Sequence, residues 1–282
     1  MFNFLHAYNP TPILISFGPI NVYWYGMFIV TGILVAILVI LKLAGYYKID
    51  KGIIIDSAFY LIIGGIIGAR LFHVLLEFRY YLEHPLNILM VWQGGLAIHG
   101  AIISGLALVW YLTKKNNINF WLYSAIFLPG LAIAQAIGRW GNYFNQELFG
   151  RSTNLPWGIP IQPANRILDY YNSNFFQPTF LYESLGNLII FITLLILHYL
   201  IIKKIICQKN SPVMCYMLCV MTYLIMYSVL RFFLEFVRID KTPEVFGLRF
   251  PQITSLIIIS GALLIYIYLK RTKPLLDKLN NL

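Results

Sequence analysis

Charge is scarce in this sequence: 11% of its 282 residues are Asp, Glu, Lys or Arg, against 59% that are hydrophobic. An average soluble domain has about 25% charged and about 45–50% apolar residues. With a mean hydropathy of +0.72, the shortage excludes a chain that folds in water and leaves the bilayer as its solvent. Acidic residues are scarcer than basic ones, 11 against 21, for a formal charge of +10. In a soluble protein that excess would point to nucleic acid, where clustered cations displace counterions from phosphates. Here the cations fall in short clusters between apolar runs. That pattern excludes a nucleic-acid surface and makes anionic membrane lipids the expected electrostatic partner.

Cysteine is scarce too. Cys207, Cys215 and Cys219 are odd in number and lie beside or within one apolar run, so no disulfide framework is expected. Cys215 and Cys219 share a helix face, but no His or carboxylate follows at ligand spacing. Helix packing is expected, with no metal and no other cofactor. No Lys or Arg precedes Lys42, so the basic start of a cleavable signal peptide is missing and the first span is expected to stay in the mature protein. Internal repeats, including the inverted ones of many transporters, are missing as well.

What is present is a series of apolar runs, at roughly 17–42, 53–76, 95–113, 120–138, 180–202, 213–237 and 251–269, each long enough to cross a bilayer as a helix. Amides in hydrocarbon must be bonded within the protein, which helices and closed barrels achieve, and no ten-residue alternating barrel pattern occurs. The expected fold class is an all-α polytopic membrane protein of about seven transmembrane helices, with residues 1–282 as a single membrane-embedded domain. Lys42, Lys48, Lys51, Lys114, Lys115, Lys203, Lys204, Lys209, Lys270, Arg271, Lys273 and Lys278 are 12 of the 21 cations. They fall on one side, which should be the cytoplasm. The N-terminus is then extracytoplasmic, the C-terminus cytoplasmic, and the stretch at about 139–179 an extracytoplasmic cap. Pro156, Pro160, Pro163 and Pro178 interrupt helix there, and Trp157, Tyr170, Tyr171, Phe175 and Phe176 suit the headgroup region.

An ionisable group at membrane depth is costly unless partnered or wetted, so such groups mark candidate sites. The segment from Gly138 to Arg151 offers Arg139 as a fork of donors for a phosphate, with Asn142 and Asn145 as neutral contacts and Glu147 beyond them. Tyr227, Arg231, Glu235 and Arg238 recur at helical spacing, and Glu235 can neutralise Arg231 or Arg238. His99 lies among Gly94, Gly95 and Gly100, where it could bond a substrate, move a proton or make a structural hydrogen bond. Tyr23, Trp24, Tyr25 and Gly26 open the first span. Arg70, within a small-residue stretch of the second, is either a phosphate donor or a partner for Glu77 or Glu183. Glu183, at the start of the fifth span, balances the excess of arginine. A transporter of an anionic solute would use the same arginines, but the inner halves of the spans are nearly uncharged. A serine protease built on Ser104 and His99 is disfavoured, because a five-residue spacing on one helix points the pair apart.

The Gly138 to Glu147 segment, the Gly94 to Gly100 motif with its histidine, Trp24-Tyr25-Gly26, the Pro178 to Glu183 stretch and Arg231 with Glu235 together resemble the prolipoprotein diacylglyceryl transferase family. The resemblance runs in order over nearly the whole chain. It implies transfer of a diacylglyceryl group from phosphatidylglycerol to the lipobox cysteine thiol of a prolipoprotein, with release of glycerol phosphate, in the bacterial cytoplasmic (inner) membrane. It implies no cofactor, and the nucleophile belongs to the acceptor. By position it carries catalytic roles onto Arg139, Arg231, His99, Tyr25, Asn142, Glu147 and Glu235. Headgroup binding would fall to Arg139, Arg231, Asn142, Asn145 and Tyr227, with Arg70 as a further candidate.

Overall fold

Long runs of Ile, Leu, Val and Ala, interrupted by Gly, Pro and Asn, alternate helices with short connections in the computed structural model, which describes residues 2–206 and 212–279. Cys207 and Lys209 lie outside the described residues. A short helix α1 (Phe2–Ala7) precedes an antiparallel hairpin of β1 (Ile13–Phe17) and β2 (Ile20–Tyr23). There follow α2 (Trp24–Tyr46), α3 (Lys51–Leu76), the short α4 (Phe78–Glu83), α5 (Ile98–Lys115) and α6 (Phe120–Phe144). The cap contains a two-residue pair, β3 (Ile159–Pro160) and β4 (Phe175–Phe176). The chain ends with α7 (Thr179–Ile202), α8 (Pro212–Leu234), the pair β5 (Glu244–Val245) and β6 (Leu248–Arg249), and α9 (Phe250–Leu279).

Among the described residues, six helices are long and apolar enough to cross a membrane: α2, α3, α6, α7, α8 and the Phe250–Tyr268 part of α9. The protein is therefore helical and polytopic. Large apolar side chains such as Leu34, Leu38, Leu71, Leu75, Ile189 and Ile196 are exposed along these helices, as surfaces meant for lipid must be. The expected third span is α5, with 18 residues, about 27 Å at 1.5 Å per residue. His99, Lys114 and Lys115 all fall inside that length and lower its apolarity below that of the six.

Three expected boundaries move. The first span starts at Trp24 rather than near residue 17, because Ile13, Ile15 and Phe17 alternate as a strand and Gly18, at φ +58°, turns the chain back at Pro19. The fourth helix runs on to Phe144, so Arg139 and Asn142 belong to it and the cap begins only after them. The sixth stops at Leu234, one residue short of Glu235. One of the three cysteines also departs from expectation, since Cys215 is disulfide-bonded while Cys219 is a buried free thiol.

Two compact units form, one from Met1–Val39 with Leu128–Leu282 and the other from Ile40–Phe127. In the first, Leu5, Tyr143, Phe149, Ile159, Ile161, Phe176 and Phe180 make an apolar core under the cap. In the second, α3 and α5 pack with almost no space between backbones: a Cβ on Gly100 would lie 2.1 Å from the Gly68 carbonyl oxygen.

Candidate active site

The C-terminus of α6 is shaped by its own capping. Gln146 adopts a left-handed conformation at φ +53°, the Glu147 amide donates to the Asn142 carbonyl at 3.1 Å, and the Gln146 amide donates to the Tyr143 carbonyl at 3.1 Å. This is a Schellman cap, usually built on glycine. Glutamine tolerates the position here because its side chain is tied on both ends. Its Nε2 donates to the Pro10 carbonyl at 2.7 Å, and its Oε1 accepts from the Gln162 amide at 2.7 Å. The cap folds Glu147 back over the last turn, where its Oε1 accepts from Asn142 Nδ2 at 2.7 Å and from Asn145 Nδ2 at 3.4 Å. A cavity of about 390 Å³ opens beside this turn, between Asn145, Glu147, Asn165 and Asp240.

Asn142 is thereby oriented, with its amide on Glu147 and its Oδ1 accepting from Arg139 Nη1 at 3.2 Å. The other terminal nitrogen of Arg139 lies 2.8 Å from Glu183 Oε1, a buried carboxylate on α7. Tyr227 on α8 lies within electrostatic reach of Arg139, Glu183 and Arg231. Three helices thus converge on one guanidinium that keeps 25% of its side chain exposed. Gly141, between Arg139 and Asn142, makes room for a ring: a Cβ there would lie 2.4 Å from Tyr25 Cδ2. Trp24 stacks on Phe144 at 4.5 Å, which fixes the start of α2 against the end of α6.

Arg231, on the last turn of α8, pairs with Glu235, whose side chain is fully buried. The expected alternative partner, Arg238, is engaged elsewhere. It donates from Nε to Asp240 Oδ1 at 2.7 Å, and its backbone bridges Gly150, because the chain leaves the helix after Leu234. Glu235's second arginine is instead Arg249, with Nη1 2.7 Å from Oε2. Burial alone would raise the Asp240 carboxyl, but the hydrogen bond and charge of Arg238, with the charge of Arg249, outweigh it and hold that group below the usual carboxylate range. Burial likewise opposes the Arg238 cation, yet its bond to Asp240 and the nearby carboxylates keep it above its ordinary value.

In the other unit, the guanidinium of Arg70, expected as a phosphate donor or an ion-pair partner, is turned to backbone carbonyls. Nε donates to the Ile88 carbonyl at 2.9 Å, Nη1 to those of Gly94 and Gly95 at 2.7 and 3.0 Å, and Nη2 to those of Asn87 and Met90. All five N–H groups are occupied, and the guanidinium stacks over Tyr81. It anchors the 87–95 segment and is not paired with Glu77. His99, on the first turn of α5, is exposed, lies 5.9 Å from the Phe72 ring between centroids, and makes no hydrogen bond among the described residues.

Arg139, Asn142, Asn145, Glu147, Glu183, Tyr227, Arg231 and Glu235 therefore share one unit, with Tyr25 beside them, while His99 and Arg70 belong to the other. Partly exposed guanidiniums held by buried carboxylates can bind a phosphate and stabilise charge that grows on it. Sequence reasoning missed the roles of Gln146, Asp240 and Arg249. Arg249 left one signal, a cation on the side where the lysine distribution expects few.

The sequence profile of the family described as prolipoprotein diacylglyceryl transferase matches residues 12–268. The chain is 40% identical over 269 residues to the phosphatidylglycerol–prolipoprotein diacylglyceryl transferase of Synechococcus elongatus, covering 94% of this chain and 91% of that one. It is 37% identical over 271 residues to the protein of that name from Nostoc sp., covering 95% and 93%. To the one from Halalkalibacterium halodurans it is 34% identical over 265 residues, covering 93% and 87%.

Proposed function

Because this chain belongs to the prolipoprotein diacylglyceryl transferase family, we propose that it transfers a diacylglyceryl group from phosphatidylglycerol to the lipobox cysteine thiol of prolipoproteins. The acceptor sulfur bonds to the glyceryl carbon, the bond from that carbon to the phosphate oxygen breaks, and glycerol phosphate leaves with the electron pair. The thiol proton is removed in the same exchange. The observation that carries this reading is the pair of partly exposed guanidiniums, Arg139 held by buried Glu183 and Arg231 held by buried Glu235, with Tyr227 within electrostatic reach of both arginines. Two such guanidiniums suit a phosphodiester whose leaving oxygen gains charge.

In this scheme Arg139 and Arg231 clamp the phosphate, and Asn142, Asn145 and Tyr227 contact the headgroup. Glu147 and Glu235 hold the donors in place, and Tyr25, packed on Gly141, closes the wall. His99 takes the thiol proton, while a nearby cation helps by lowering the thiol pKa. The whole chain works as one transferase domain in the bacterial cytoplasmic membrane, with seven spans, α5 being the seventh. The N-terminus and the site lie on the extracytoplasmic side.

The test is turnover by purified protein given labelled phosphatidylglycerol and a lipobox peptide. Lipidated peptide and glycerol phosphate should appear in equal amounts, and their absence would overturn the reading. His99→Gln should lower kcat by about 10²-fold, the lower end of general-base effects. Near-normal turnover of that variant removes His99 from proton transfer without touching the transferase assignment.

A further inference from the structure

Arg249 matches none of the positions to which the resemblance assigns a role, yet it has more polar contacts than any of them. Its Nη1 meets Glu235 Oε2 at 2.7 Å and donates to the carbonyls of Glu235 and Arg238 at 3.1 and 3.2 Å. Its Nη2 donates to the Asp240 carbonyl and the Thr242 hydroxyl, and lies 3.7 Å from Asp240 Oδ2. The guanidinium therefore sits between two carboxylates and three carbonyls, at the point where α9 begins.

The consequence falls on Glu235. Its side chain is fully buried, and its two oxygens face two different arginines, Oε1 towards Arg231 and Oε2 towards Arg249. Neither oxygen makes an aligned hydrogen bond, so both contacts are charge pairs whose strength depends on how the one negative charge is divided. Arg231, Arg238 and Arg249 together face Glu235 and Asp240, which leaves one positive charge in excess. Side-chain exposure is 20% for Arg231, 13% for Arg249 and 6% for Arg238. The surplus is thus presented at Arg231, the guanidinium that a ligand can reach most easily.

We propose that Arg249 is a positioning residue for the transfer reaction: by holding Glu235 through its second oxygen, it prevents that carboxylate from fully neutralising Arg231 and keeps the Arg231 fork open to the phosphate of phosphatidylglycerol. This rests on the clamp role given to Arg231 above. Without Arg249, Glu235 would be buried with one partner, would turn both oxygens to Arg231, and would compete with the lipid for the same N–H groups.

The experiment uses the full chain in detergent. Arg249→Gln keeps donors but no charge, Arg249→Lys keeps charge without the fork, and Thr242→Val removes one tie of the same loop without touching Glu235. Binding of labelled phosphatidylglycerol is measured against phosphatidylcholine, and KM is measured for lipid and for peptide. Loss of one charge-assisted contact is expected to weaken phosphatidylglycerol binding about tenfold in Arg249→Gln. KM for the peptide should stay unchanged, Arg249→Lys should recover part of the loss, and Thr242→Val should bind as wild type. Wild-type lipid preference in folded Arg249→Gln overturns the proposal. So does an equal rise in both KM values, or Thr242→Val behaving as Arg249→Gln does. If Arg249→Gln fails to fold, Arg249→Lys decides instead: a lipid KM above that of wild type supports the proposal, and an unchanged one overturns it. Binding needs no turnover, so wild-type protein that binds phosphatidylglycerol but lipidates no peptide would sink the proposed function while leaving the Arg249 result intact.

Discussion

At the scale of single residues, Arg139 illustrates why the type of cation matters. One terminal nitrogen reaches Asn142, the other reaches Glu183, and the Tyr227 side chain lies within electrostatic reach of the guanidinium. A planar fork can hold all three directions and still present an edge, which an ammonium cannot. Arg139→Lys should therefore fold normally and lose roughly 10²-fold in kcat, the scale seen when one donor to a developing anion is removed. Full activity in the peptide lipidation assay would remove Arg139 from the clamp. Asp240 gives a prediction of the opposite kind, in stability rather than rate. Its carboxyl is held low in the folded protein, so it contributes stability above its unfolded pKa of about 3.9 and loses that contribution as pH falls through the folded value. Asp240→Asn should melt below wild type at neutral pH, and the gap should close in strongly acidic buffer. A gap that is independent of pH would mean that the Arg238 pairing is not what stabilises the loop.

Among the elements, the pair α3 and α5 depends on two glycines. A Cβ on Gly100 would meet the Gly68 carbonyl oxygen at 2.1 Å and Phe72 Cβ at 2.5 Å, and backbone cannot move aside as a side-chain tip can. Gly100→Ala should cost about 1–3 kcal/mol, as overpacked cores do, and lower the melting temperature by several degrees, read by thermal unfolding in detergent. An unchanged melting temperature would show that the helices separate freely. The apolar runs that make these helices were legible in the sequence, because hydrocarbon demands about twenty apolar residues and little else does. Their ends were not. Composition suggested that the fourth helix stops at Gly138, yet it reaches Phe144, because the stop depends on Gln146 being held left-handed by Pro10 and Gln162 from distant parts of the chain. Arg70 shows the same limit: its cost at membrane depth flagged it, but the carbonyls of residues 87–95 that absorb it carry no sequence signature.

For the whole molecule, the two kinds of cation divide by place. Lys accounts for eleven of the twelve cations on the side expected to be cytoplasmic, and Arg for eight of the nine elsewhere. Lysines at span ends need only water and anionic headgroups. Most of the arginines outside that group bind specific partners, as Arg70, Arg139, Arg166, Arg231, Arg238 and Arg249 do. The site was thus partly legible as arginine where the positive-inside bias gives no reason for it, although which carboxylate pairs with which arginine depended on the path of the chain after Leu234. The same division leads to a prediction about topology. Among the described residues six helices meet the length and apolarity of a span, and α5 is the candidate seventh. Six spans would put the two ends of the chain on one side; seven put them on opposite sides. With α5 spanning, a cysteine introduced at Asn165 in the cap should react with a membrane-impermeant maleimide in intact cells. One placed at Asn116, after Lys114 and Lys115, should react only after permeabilisation. Labelling of Asn116→Cys in intact cells would place the end of α5 outside. That would reduce the count to six and put the lysines of that loop on the side that the positive-inside bias disfavours.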